Sequence, residues 1–196
     1  MSAARQRWLD MGIEVLAEEG GVDAIRIDRL AERLGLSTGS FYHHFRGAAG
    51  FKKDLLAHLE EVQTVGFADA VADTDVAPGD GARTSADLIS RLAAARAEYR
   101  RPRLEAALRA WALTDPDAAR TQAAIDEGRL ETIRAVWRQV TPDEEEVRLA
   151  ALLPYVVAIG ASAIMPPLGD DDLHKLYEMI VSLVPDPAAE QDDDEP

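Results

Sequence analysis

The chain has 196 residues, of which 47% are hydrophobic and 29% are charged, so it can bury a core as one globular unit or as two small ones. Its 36 acidic and 21 basic residues give a formal net charge of -15, which argues against a uniformly basic nucleic-acid binder and against an anionic membrane surface as partner. The absence of cysteine excludes disulfides and thiolate metal sites. No unbroken apolar run of the secretory type follows Met1, so the expected location is the cytoplasm.

Turn and capping signals divide the chain into helices, and almost no segment alternates as a strand does. We therefore predict an all-α fold with about nine helices. The first helix is expected over residues 3–19, where Gly20 and Gly21 end it. Asp28 and Ser37 are expected to cap two short helices. A longer fourth helix is expected over residues 48–71.

The second half of the chain restarts several helices after a predicted loop at residues 73–83. Thr84 is expected to cap a helix to about residue 99, and Pro102 to lie in the first turn of the next. Three further helices are predicted: one over residues 116–140, a second that Thr141 caps, and a third over residues 171–184. Residues 185–196 are acidic with nothing to pack, so disorder is expected there.

Residues 149–168 form an uncharged apolar stretch, the one segment that could suggest a membrane span. The stretch barely reaches the ~20 residues that a span needs, contains Pro154 and has no basic flank. We interpret it as a buried helix whose small residues, such as Gly160, permit close helix packing.

The most informative segment is residues 27–45, in which two short helices are joined at Gly35. Leu30 and Leu34 are predicted to face inward, and Gly35 supplies the backbone freedom of the turn. This is the spacing of a helix-turn-helix. The outer side of its second helix, which could enter a DNA major groove, carries hydroxylated or hydrogen-bonding residues: Thr38, Gly39, Ser40, Tyr42, His43 and His44.

Through this run the sequence resembles the tetracycline-repressor (TetR) family of transcription regulators. The motifs are Leu34-Gly35-Leu36-Ser37, Gly39-Ser40-Phe41-Tyr42 and His44-Phe45, within a similarity over residues 5–56. The resemblance implies a DNA-binding domain at residues 1–47, an effector-binding and dimerisation domain at residues 48–184, and a tail at residues 185–196. It implies a homodimer formed by the last two helices, a palindromic DNA operator, and a small-molecule effector that releases the DNA.

One departure from the family pattern concerns the phosphate contacts. Many members carry a lysine shortly after the phenylalanine that corresponds to Phe45, and here Arg46-Gly47-Ala48 follows instead. The resemblance therefore assigns phosphate contacts to Tyr42 and His44, and base contacts to Thr38, Gly39, Ser40 and His43. Arg46, Lys52 and Lys53 are the cations available to replace the lysine, and of these we expect Arg46 and Lys52 to contact DNA.

Other interpretations stay open for several of these features. Residues 27–45 could be a plain helical hairpin, and the missing lysine makes an effector-binding or partner-binding protein without operator binding conceivable. An all-helical enzyme is a third hypothesis, but no catalytic motif supports it, and we expect no enzyme activity, metal or cofactor. His58 and His174 are isolated in the sequence. A set of aromatic and sulfur-containing residues could line an effector pocket or belong to the core: Tyr99, Trp111, Trp137, Tyr155 and Met165.

The negative charge is unevenly distributed along the chain. Residues 1–60 contain eight basic and nine acidic residues, whereas the remainder contains 13 and 27. The acidity therefore belongs to the body, and we expect weak binding to DNA of random sequence.

Overall fold

The computed structural model describes residues 2–73, 101–139 and 141–183, and within these ranges every regular element is helical. The predicted all-α fold is confirmed. The described part holds a short 3-10 turn at Val22–Ala24 and eight α-helices: α1 Ala3–Glu19, α2 Ile27–Leu34, α3 Thr38–His44, α4 Gly47–Asp73, α5 Pro102–Ala112, α6 Pro116–Trp137, α7 Glu144–Ala163 and α8 Asp170–Leu183. The loop, helix and tail predicted for residues 74–99 and 185–196 lie outside the described residues.

The described residues fall into two compact units. The first comprises residues 2–64 and 101–126, and the second comprises residues 65–73, 127–139 and 141–183. The domain limits expected from the sequence, at residues 47 and 184, stay predictions.

The first unit is built around the apolar face of α1. Trp8, Leu9 and Leu16 are at most 1% exposed, and they pack in one core with residues of the other helices: Leu30, Phe41, Phe51, Leu55, Leu59, Leu104, Leu108 and Trp111. Helix α5 packs on α1, where the Arg103 guanidinium donates to the Glu18 carbonyl oxygen at 3.0 Å. Ala118 and Ile125 of α6 complete this core, so the helix-turn-helix predicted from the sequence is part of a larger core to which six helices contribute.

The second unit has a core of its own, formed by Phe67 of α4, Trp137 of α6 and the inner faces of α7 and α8. Its surface carries a salt-bridge network in which Arg138 contacts Glu131 at 2.6 Å and Glu144 at 2.9 Å. The hydrogen bond from Arg138 holds the pKa of the Glu144 carboxyl below its usual range.

Helix α7 is buried on one side only, so the expectation of a buried helix is half right. Tyr155 and Ala158 lie in the core, whereas Leu149, Leu153 and Val156 are 50%, 45% and 55% exposed. By length and composition, α7 is the single described helix that could cross a membrane, with 33% of its most apolar stretch buried. An apolar stripe is left uncovered in the isolated chain.

The capping predictions have mixed outcomes. Ser37 caps α3 and Pro102 begins α5, as expected. The Asp28 prediction is wrong, because Arg26 is the N-cap of α2 and the helix begins at Ile27. Asp28 therefore lies in the first turn, where its carboxylate accepts a hydrogen bond from Arg26. The Thr141 prediction is also wrong: Asp143 caps α7, and the Thr141 hydroxyl donates to the Glu146 carboxylate at 2.7 Å.

Candidate nucleic-acid interface

The turn between α2 and α3 is closed by backbone hydrogen bonds. Gly35 adopts φ 64°, in the left-handed region that favours glycine. The amide of Leu36 then donates to the Ala31 carbonyl at 3.0 Å, and the Ser37 hydroxyl accepts from the Ser40 amide at 3.2 Å. Both helix ends are thereby satisfied, which fixes the direction in which α3 leaves the turn.

Helix α3 has only seven residues, too few to be stable by itself, so its packing must hold it. Phe41 supplies that packing. Its fully buried ring lies 5.3 Å from Trp8, 5.0 Å from Phe45 and 5.3 Å from Phe51, measured between ring centroids. A single aromatic residue therefore holds α3 against α1 and α4.

The opposite face of α3 carries the residues that the sequence predicts as DNA contacts. Thr38, Gly39, Tyr42 and His43 are exposed, and Ser40 and His44 are half-buried. Tyr42 is 61% exposed, although its ring edge touches Phe41. The six residues make up all of α3 except the buried Phe41, and five of them have polar side chains. Clusters of three or more histidine and carboxylate side chains that could hold a metal ion are absent from the part of the chain that the structure describes.

Four arginines of the first unit are neutralised by acidic partners. Arg26 binds Asp28, Arg29 binds Glu19, Arg33 binds Glu18 and Arg5 binds Asp54, at 2.5–2.8 Å. The hydrogen bond from Arg33 also lowers the pKa of the Glu18 carboxyl. These arginines are poorly placed to meet phosphates, because each would first have to leave a carboxylate.

Three cations next to α3 have no such partner. Within residues 2–73, 101–139 and 141–183, neither Arg46, Lys52 nor Lys53 forms an ion pair, and Arg46 and Lys53 are exposed. They lie just before and in the first turns of α4, which begins at Gly47. The sequence offers all three as available cations, and Arg46 and Lys52 are the two predicted to contact DNA. Lys53 is also free of an ion pair among the described residues. The lack of a carboxylate partner there is what distinguishes these three cations from the paired arginines.

His58 is not isolated, which corrects the prediction from the sequence. Its buried ring contacts Asp10 and Gln6 of α1. A signal was present, because His58 lies between the apolar residues Leu55 and Leu59 on the inner face of α4. His174 is also paired, with Glu178 at 3.4 Å.

The described residues among the five suggested for an effector pocket belong to the cores of the two units or to the surface. Trp111 lies in the core of the first unit, where its indole donates to Asp115 at 3.2 Å. Trp137 and Tyr155 lie in the core of the second unit, and Met165 is 88% exposed. Tyr99 lies outside the described residues.

Comparisons with known proteins bear directly on this site. Residues 10–58 match the family model of bacterial regulatory proteins, tetR family. The match begins within α1, includes the whole helix-turn-helix and ends at His58 in α4. No curated protein matches the sequence.

Solved structures with the same fold are similar over almost the whole chain. A TetR-family transcriptional regulator from Rhodococcus sp. has a TM-score of 0.67 at 18% identity, covering 94% of this chain and 99% of the other. A transcriptional regulator from Rhodococcus sp. Rha1 has a TM-score of 0.66 at 20% identity, covering 92% and 95%. The multidrug binding protein EbrR, complexed with imidazole, has a TM-score of 0.62 at 20% identity, covering 94% and 97%. Residues 10–58 therefore carry the similarity to the tetR family of bacterial regulatory proteins, and the chain as a whole has the fold of a solved TetR-family transcriptional regulator.

Proposed function

We propose that this chain is a cytoplasmic transcriptional repressor that binds a palindromic DNA operator as a homodimer and releases it when a small-molecule effector binds. One observation carries the proposal: the polar residues of α3 are followed by three cations that form no ion pair with any carboxylate in the part of the chain that the structure describes. The paired arginines around them make the contrast informative, since in this acidic chain a free cation next to α3 is an exception.

The residues divide into two kinds of DNA contact. Arg46, Lys52 and Lys53 meet phosphates and position the domain, whereas Thr38 and His43 reach base edges in the major groove. Tyr42 is long and exposed and donates its hydroxyl to a phosphate. Gly39 lets the backbone of α3 approach the DNA closely.

The exposed stripe of α7 supports the proposed dimer. Leu149, Leu153, Val156 and Gly160 recur every three or four residues and are all exposed, as are Leu176 and Met179 of α8. Two copies of this helix pair would cover the stripes in a four-helix arrangement. An interface between two protomers accounts for the apolar stripe of α7 without a membrane.

We infer that the effector binds in the helical body, as the resemblance implies. The crystal structure of EbrR with imidazole, a protein of the same fold, supports a small-molecule ligand. The effector must bind the form whose two α3 helices are wrongly spaced more tightly than the DNA-binding form, because equal affinity for both would shift nothing. Trp137, Tyr155 and the undescribed Tyr99 are the first residues to test for contact with it.

The test is a gel shift with DNA from beside the protein's own gene, or with a duplex selected from a random library by the purified protein. The unmutated protein should give a specific shift, and Tyr42→Ala should abolish it. His174→Ala, which changes another exposed aromatic residue far along the chain, serves as the control and should leave the shift intact. If the unmutated protein gives no specific shift, the protein is instead an effector-binding or partner-binding helical protein.

A further inference from the structure

A polar cluster ties α1 to α4 inside the first unit. The His58 Nε2 atom lies 2.8 Å from Asp10 Oδ1 and 3.0 Å from the Gln6 amide nitrogen, and that amide nitrogen donates to the same Asp10 oxygen at 3.0 Å. Asp10 and His58 are 48 residues apart in the sequence. The contact is therefore a tertiary link between two helices that the Arg5–Asp54 salt bridge, at 2.8 Å, also joins.

Only one side of the His58 ring takes part in this link. The imidazole is 5% exposed, and its Nδ1 atom is buried without a hydrogen-bond partner. The Asp10 carboxylate accepts, so Nε2 carries the proton and donates. If α4 moved far enough to stretch this bond beyond about 3.5 Å, the ring would be buried with no partner at either nitrogen. The hydrogen bond consequently favours a single position of α4 relative to α1, and other positions of α4 are disfavoured.

The same helix interface reaches the recognition helix through apolar contacts. A Cβ atom on Gly12 would lie 3.1 Å from both Leu55 and Phe51, so α1 and α4 approach closely there. Phe51 in turn contacts Phe41, the residue that anchors α3. A displacement of α4 along α1 is thus transmitted directly to the helix that faces DNA.

We propose that Asp10 and His58 are positioning residues for operator binding, and that breaking their hydrogen bond is the step by which a shift of α4 lowers DNA affinity. The inference rests on the proposed operator binding. Neither residue touches DNA in this account. They act by holding α4, and through Phe51 they hold α3 in the orientation that fits the major groove.

The experiment measures the affinity of the full chain for two fluorescent duplexes, one selected from a random library by the unmutated protein and one of random sequence. His58→Leu and Asp10→Ala should each weaken binding to the selected duplex about tenfold. The double variant should be no weaker than either single one, because both remove the same bond. Affinity for the random duplex should change less than twofold, since the phosphate-binding cations remain.

Two further variants separate positioning from a general loss of structure. His58→Gln can place an amide donor where Nε2 lies, so it should retain most of the affinity. His174→Leu, at a histidine on α8, should have no effect. If His58→Leu does not fold, as judged by circular dichroism, Asp10→Ala carries the test, because Asp10 is 51% exposed.

The proposal is overturned if Asp10→Ala binds the selected duplex as tightly as the unmutated protein, if affinity for both duplexes falls in parallel, or if His58→Gln behaves like His58→Leu. Failure of the proposed function looks different, because in that case the unmutated protein selects no duplex at all, and the positioning role fails with it.

Discussion

The neighbouring residues Phe41 and Tyr42 should separate stability from DNA binding. Phe41 is fully buried among three aromatic rings, whereas Tyr42 is 61% exposed. Truncating a buried phenylalanine costs about 3–5 kcal/mol, and most domains have only about 5–15 kcal/mol of stability. Phe41→Ala should therefore remove about 4 kcal/mol from the free energy of unfolding of the first unit. Tyr42→Ala gives up only an edge contact and should cost about 0.5 kcal/mol.

Urea denaturation followed by circular dichroism measures the two free energies, and amide hydrogen exchange localises the change. In Phe41→Ala the amides of α1 and α3 should exchange much faster, because local opening becomes easier. In Tyr42→Ala they should exchange as in the unmutated protein, although specific DNA binding is lost. The reasoning is refuted if Phe41→Ala loses less than about 1.5 kcal/mol, or if Tyr42→Ala destabilises the protein as much as Phe41→Ala.

Three further predictions address charge, assembly and acid stability. Lys52→Ala should reduce the slope of log affinity against log salt by about 1.8 for the dimer, about 0.9 for the phosphate contact of each protomer, as titrations in increasing salt would measure. Gly160→Leu should weaken self-association in sedimentation without unfolding the chain, since an added Cβ there meets no atom within 4 Å. Arg138→Gln should make the thermal stability fall less steeply as the pH is lowered. The hydrogen bond from Arg138 lowers the pKa of Glu144, so the ionised carboxylate stabilises the fold at pH values above the usual pKa of 4.5. This stabilisation is lost as the pH falls through the lowered pKa.

Each of these predictions has a control or an opposing result. Lys175→Ala removes an exposed lysine that is paired with Asp172 on α8, and an equal change of salt slope in that variant would contradict a specific role for Lys52. A Gly160→Leu variant that stays fully dimeric would place the interface elsewhere. If thermal stability falls with decreasing pH in the same way with and without Arg138, the salt bridge does not contribute to the pH dependence of stability.

Local signals in the sequence predict the helix-turn-helix well because its determinants are neighbours in the chain. Gly35 and Ser37 act within three or four residues of where they stand, and the inward residues follow one helical period. The inner and outer faces of α3 could therefore be assigned. The Asp28 and Thr141 predictions are wrong for a related reason: a capping residue acts only at one position, and the start of a helix is uncertain by one or two residues.

Long-range contacts were beyond what the sequence pattern could predict. The partner of His58 is 48 residues away, so the apolar neighbours of His58 in the sequence indicate its burial but not its partner. Among the described residues, the cations Arg46, Lys52 and Lys53 could be recognised as free of ion pairs only once four nearby arginines had been placed against their acids: Arg5, Arg26, Arg29 and Arg33. The half-exposure of α7 depends equally on tertiary packing, because its composition alone is that of a buried helix.

Specific operator binding is measured by the ratio of the affinities of the purified full chain for a selected palindromic duplex and for a random duplex, at physiological salt. We expect a ratio of at least about 10³, with weak binding to random DNA because the body of the chain is strongly acidic. Equal affinities for the two duplexes, or tight binding to the random one, would contradict it.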